Sequence, residues 1–160
     1  MYVCRFLGPY QRMNIPDMLS ISVGLLYVIP FTLYFFTGNA IHLTAFLGVI
    51  GTTLISETLK YFFVRDVSVR PKGAKNCNFL CNDGGQSGKP GMPSSHSASV
   101  GFFSGYYFQQ TSNYFIRSIL VIYSGLVMMS RYVKQCHTIG QIIVGATLGV
   151  SLSWLVVRQL

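Results

Sequence analysis

Apolar positions in this chain fall into five long runs, at roughly 17–37, 41–64, 95–111, 114–131 and 139–158. A helix of about 20 apolar residues crosses the ~30 Å hydrocarbon core of a bilayer. It does so with every backbone N–H and C=O paired internally. The pattern therefore predicts one domain over 1–160, an all-α, multi-pass transmembrane helical bundle of about five spans, the third and fourth short. Asn14-Ile15-Pro16-Asp17 has helix-start chemistry, a polar cap followed by a proline in the first turn. Pro30 predicts a kink in the first span. Residues 1–16, with Arg5 and Arg12 among aromatics, read as an interfacial segment, and no small-residue cleavage site marks the first run as a removable signal. The single long polar loop is 65–94, rich in Gly, Lys, Asn and Asp.

Smaller signals refine the bundle. Gly101, Gly105 and Gly145-x3-Gly149 let helices approach closely. The aromatic patches Tyr34–Phe36, Phe102–Phe108 and Tyr114–Phe115 read as membrane-facing or interfacial belts. His42 sits near the start of the second run and reads as interfacial. Glu57 lies inside that run, where an ionised acid costs about 3 kcal/mol. Lys60, three residues on, predicts an intrahelical pair.

Composition narrows the class. Hydrophobic residues make up 51% of the chain and charged residues 10%, which places the net charge of +8 in the flanks of membrane spans and argues against nucleic-acid binding. The four cysteines, at 4, 77, 81 and 136, do not form a disulfide framework by spacing. Cys77 and Cys81 share the polar loop and could bridge in an oxidising compartment; a zinc site using both with a distant histidine is the alternative.

Against this apolar background two polar islands stand out: Pro93-Ser94-Ser95-His96, and Ser130-Arg131 followed by His137. Ionisable groups at membrane depth are expensive and mark functional sites. Counting spans brings the islands together: the loop with Arg70-Pro71, the start of the third run, the end of the fourth and the start of the fifth all share one membrane face. The set is cationic and hydroxyl-bearing. Arg70 and Arg131 can each grip two phosphate oxygens. Ser94 and Ser95 offer hydroxyls and backbone N–H groups at a helix N-terminus. His96 and His137 can divide acid and nucleophile roles near neutral pH.

Arg70-Pro71, Gly91-Met92-Pro93-Ser94-Ser95-His96-Ser97 and Ser130-Arg131-x5-His137 together resemble the phosphatidic acid phosphatase type 2 superfamily, whose signature is K-x6-R-P, P-S-G-H and S-R-x5-H. The Ser-Ser-His-Ser run and His137-Thr138 with Gln141 are most similar to its dolichyl-diphosphatase branch. The resemblance covers the second run to the chain end. It implies a covalent phosphohistidine mechanism with no metal and no other cofactor. His137 would be the nucleophile and His96 the acid on the leaving oxygen. Arg70, Arg131, Ser94 and the Ser95 N–H would hold the transition-state oxygens. Gln141 would orient His137 where many relatives use aspartate. The signature lysine is displaced: seven residues before Arg70 stands Phe63, and the nearest upstream lysine is Lys60. A three-residue insertion around Asp66–Val69 would restore Lys60 to the site; the alternatives are that Arg65 substitutes or that the lysine has no equivalent.

The resemblance implies six core helices, against five runs here, and a lipid phosphate as substrate, with polyprenyl (dolichyl) diphosphate preferred to phosphatidic acid. A non-catalytic lipid-binding member of the same fold is a rival, favoured by Gln141 and the displaced lysine. A channel would need mid-bilayer polar residues along several spans, and only Glu57 and a few hydroxyls qualify. The expected partners are substrate lipid and bilayer, without nucleic acid; a homo-oligomer is compatible. The resemblance places the protein in the endoplasmic reticulum or another endomembrane with a lumenal site, whereas the basic residues counted on the site face put that face in the cytoplasm.

Overall fold

The computed structural model describes residues 14–159. The expected interfacial segment 1–16 lies almost entirely outside them. Six α-helices are present among the described residues: α1 (Ile15–Ser22), α2 (Leu25–Thr37), α3 (Ala40–Thr58), α4 (Ser95–Gln110), α5 (Tyr114–Val133) and α6 (Ile139–Arg158). Helix α3 runs on through a π-helical turn, Leu59–Val64, and a 3₁₀ turn, Arg65–Val67.

The first apolar run is two helices that meet at 42°. The break falls at Val23-Gly24, and Pro30 sits inside continuous α2, which corrects the expected position of the bend. The α3 unit, α5 and α6 are long and apolar enough to cross a bilayer, and the bent α1–α2 pair makes a fourth candidate. The protein is an integral membrane protein.

The third run does not meet that test. Helix α4 has 16 residues, many of them small and polar, and is the most enclosed element of the bundle. Val100, Phe102, Phe103 and Tyr106 are buried in a core shared with Leu26, Ala45, Val49, Leu120 and Val127. The central aromatic patch is thus core, with only its end, Phe108, exposed; the expected lipid-facing belt is corrected there. Helices around α4 do turn large apolar side chains outward, among them Phe35, Phe36, Phe115 and Ile122, as a lipid-facing surface requires. Helix α4 can stay polar because its neighbours are protein.

The closest packing is α4 on α6. A Cβ at Gly145 or Gly149 would collide with the α4 backbone, at the Ser94 and Ala98 carbonyls respectively, so only glycine permits this approach. Asn39 and Asn113 cap α3 and α5 through their side chains, and Thr138 with Gln141 forms a reciprocal capping box on α6. On the far side of the bundle His42 Nδ1 lies 3.0 Å from the Tyr107 hydroxyl, a structural contact.

The loop is ordered as an irregular hairpin. Arg70 N–H donates to Lys89 O at 2.8 Å, Gln86 N–H to Ala74 O at 2.8 Å, and Asn76 N–H to Gly84 O at 2.8 Å. A disulfide, Cys77–Cys136, joins it to the α5–α6 turn, with Cα atoms 5.4 Å apart. Cys81 is the free, buried cysteine among the described residues. The Cys77–Cys81 pairing and the zinc alternative are therefore both overturned: the true partner is remote in sequence, and a disulfide sulfur is not a thiolate ligand.

Candidate active site

The last turn of α3 decides where Lys60 goes. Its π geometry turns Lys60 inward, with 2% of the side chain exposed, while Phe62 and Phe63 face out. Between Lys60 and Arg70 the chain passes through this widened turn and the 3₁₀ turn Arg65–Val67, which overlaps the expected insertion around Asp66–Val69. Arg65 is exposed. Lys60 Nζ donates to Glu57 Oε1 at 2.6 Å and to Ser95 Oγ at 2.7 Å, and Ser95 Oγ donates to the same carboxylate oxygen. The intrahelical pair expected from the sequence is present, and Ser95 closes it into a triangle.

Lys60, Arg70, Ser95, His96 and His137 line one cavity of about 580 Å³. Arg70 is delivered by the loop hairpin. Its Nε donates to Pro90 O at 3.4 Å, while its buried Nη1 has no partner. A buried guanidinium nitrogen left this way, in a cavity that also holds the Lys60 ammonium, asks for an acceptor.

His137 comes from the α5–α6 turn, just before the α6 cap, and is buried. Gln141, one helical turn on, sets its ring. The Gln141 Oε1 lies 3.2 Å from His137 Nδ1, and its Nε2 donates to Ser68 Oγ at 3.0 Å and Val69 O at 2.9 Å. An amide whose NH₂ is occupied by the loop presents only its carbonyl to the imidazole. His137 must then carry its proton on Nδ1, which leaves Nε2 with a free lone pair. Burial pulls the pKa of His137 well below the ordinary histidine value, with Arg131, Arg70 and Lys60 adding in the same direction against the Gln141 hydrogen bond. The imidazole is neutral at pH 7.

Arg131 is fully buried at the end of α5 and does not line the cavity. Its Nη1 donates to Ser20 Oγ at 2.6 Å, its Nη2 donates to Cys77 O, and its Nε has no partner. Ser20 of α1 also lies 3.4 Å from His96 Nε2, so one hydroxyl links the second histidine to this arginine. Ser94 stands at the N-cap position of α4 without a side-chain capping bond, and packs on α6. Its N–H donates to Gln141 O at 3.1 Å and its hydroxyl accepts from Ser97 Oγ at 3.1 Å, which keeps both off the cavity surface. The structure thus gathers Lys60, Arg70, Ser95, His96 and His137 at the cavity, puts Gln141 directly behind His137, and sets Arg131 and Ser94 one layer deeper.

The arrangement has cations and donors converging on a space beside a neutral, tautomer-locked imidazole. A model of the PAP2 superfamily matches residues 41–160, three quarters of the chain. The chain belongs to the PAP2 superfamily. The fold is similar to that of a transmembrane PAP2 type phosphatidylglycerolphosphate phosphatase from Bacillus subtilis, with a TM-score of 0.66 and 18% identity over 92% of this chain and 78% of that one. No curated protein matches the sequence closely enough to add a nearer relative.

Within this PAP2 fold several neighbours of the site escaped the sequence reading. Ser20, Ser68 and Cys77 each touch a site residue, yet a lone serine or cysteine in a run or loop carries no periodic signal. Glu57 did signal, as a charge inside a span. Asp17 and Lys134 form an ion pair at 2.8 Å that ties α1 to the α5–α6 turn, and Lys134 Nζ also reaches Cys81 Sγ at 2.9 Å.

Proposed function

We propose that this protein is a metal-independent lipid phosphatase acting through a phosphohistidine at His137. The observation that carries the reading is the Gln141–His137 pair facing the same cavity as the unpartnered Arg70 Nη1. His137 Nε2 attacks phosphorus as the bond to the leaving oxygen breaks, and His96 gives that oxygen its proton. Water then attacks the phosphohistidine, passes a proton to His96 and frees inorganic phosphate, which restores both histidines. Arg70 and Lys60 hold the phosphoryl oxygens through the transition state. Arg131 acts from below, holding Ser20 and the Cys77 carbonyl while its charge bears on the same space. Ser94 fixes the start of α4, and the Ser95 N–H lies at the positive end of that helix.

The preferred substrate is a polyprenyl diphosphate such as dolichyl diphosphate, converted to the monophosphate in the endoplasmic reticulum or another endomembrane. It rests on the Ser-Ser-His-Ser run and Gln141. A phosphorylated glycerolipid is the second reading, favoured by the substrate named for the structural relative. The test is phosphate release by purified protein in detergent with EDTA, over a panel holding both lipid classes. EDTA-resistant turnover is expected, with His137→Ala lowering it by a factor on the order of 10³ or more and His96→Ala by about 10²–10⁴. A folded wild type no more active than His137→Ala on every lipid ends the enzyme reading in favour of lipid binding.

A further inference from the structure

We propose that Glu57 is an exchangeable counter-ion, which occupies the anion seat of Lys60 and Ser95 in the free enzyme and is displaced when phosphate binds. The inference rests on the phosphatase reading of this cavity. A carboxylate is out of place in a site for a polyanion, since like charges at close range repel strongly where water is scarce. Yet Glu57 lines the cavity together with Lys60, Ser95 and His137.

Exposure says which partner moves. Lys60 is 2% exposed and Glu57 40%. The ammonium is enclosed by the widened turn and α4, and without a partner it would be a buried unpaired charge. The carboxylate has open space beside it and can rotate away once another anion takes over its contacts. Ser95 makes the exchange possible. Its hydroxyl accepts from Lys60 and donates to Glu57. When the carboxylate leaves, that O–H and one N–H of Lys60 are freed together and point at the same place. A glycine at this position, as in the general P-S-G-H signature, would have no hydroxyl to make this exchange. Until substrate arrives, the triangle keeps a bare lysine from facing the anionic headgroups of the bilayer.

The test is the affinity of the full chain in detergent for inorganic phosphate, measured by titration calorimetry at pH 7. Glu57→Gln keeps the shape and the acceptor but removes the charge, and should bind phosphate about 3–10-fold more tightly. Glu57→Asp keeps the charge but withdraws the carboxylate by about 1.5 Å. It should tighten binding less, and it covers the case in which the glutamine variant does not fold. Adding Lys60→Met should abolish the gain. A purely structural role for Glu57 predicts weaker phosphate binding in both variants. Unchanged or weaker binding in the variants overturns the proposal, as does a lack of phosphate binding in all of the proteins. Failure of the phosphatase reading shows separately, as absent turnover on the lipid panel.

Discussion

At the scale of single residues, the proposed chemistry turns on the protonation of His137. Its depressed pKa means that the free protein keeps this proposed nucleophile neutral at pH values where an ordinary histidine, near 6.5, is half charged. The acid limb of kcat/KM should therefore lie below about pH 6.5. Arg70 is one of the cations holding it down, so Arg70→Gln should move the limb of the residual activity upward. A limb unmoved in that variant means that another group titrates. Gln141→Ala frees the imidazole to take either tautomer and should lower kcat about 10-fold, the worth of one hydrogen bond of ~1.4 kcal/mol. The histidines and arginines were legible in the sequence because charge is rare in this chain. Ser20 was not, because a hydroxyl in an apolar run looks the same whether it faces lipid or links Arg131 to His96.

Helices carry a different lesson, most clearly in α4. Mean hydropathy identifies segments that face lipid, and α4 faces protein on nearly every side. Its serines are satisfied by neighbouring helices: Ser99 Oγ is 2.9 Å from Thr53 Oγ1, and Ser104 Oγ accepts from Ser124 Oγ at 2.7 Å. Burial against α6 depends on the absence of side chains. Gly149→Leu should lower the unfolding free energy by about 1–3 kcal/mol or more, seen as a lower Tm in detergent, because the facing wall is backbone and cannot move aside. The same substitution at Gly51, where an added Cβ would meet nothing within 4 Å, is the control and should be nearly silent. The π turn at the end of α3 had no periodic signature in the sequence.

For the molecule as a whole, the Cys77–Cys136 disulfide connects the loop to the turn that bears His137 and closes a separation of 59 residues. Closing a loop of that length is worth about 2–4 kcal/mol, so Cys77→Ala with Cys136→Ala should unfold correspondingly earlier in denaturant. Disulfides persist in oxidising compartments. The expected site face is therefore the lumenal or external one, despite the basic residues counted on it. One of those cations is already spoken for, Lys134 by Asp17. Labelling Cys77 or Cys81 would not report sidedness, since one is bonded and the other buried. Lys72→Cys, in the exposed loop, should react with a membrane-impermeant maleimide only from the oxidising side. Reaction from the cytosolic side alone would contradict the orientation.

The sequence by itself determined the class of fold, the face on which the polar islands meet and the residue types that meet there. Those follow from solvent: lipid forces long apolar helices, helix count sets parity, and charge survives at membrane depth only for a reason. Tertiary structure alone decided that the first run bends at Val23-Gly24, that Cys77 pairs with Cys136, and that Lys60 rather than Arg65 or Phe63 enters the cavity. It also decided that Arg131 and Ser94 stand one layer behind the cavity wall. Each of these depends on contacts between segments far apart in the chain, and a local pattern of polar and apolar positions holds no record of which distant atom completes a hydrogen bond or a disulfide.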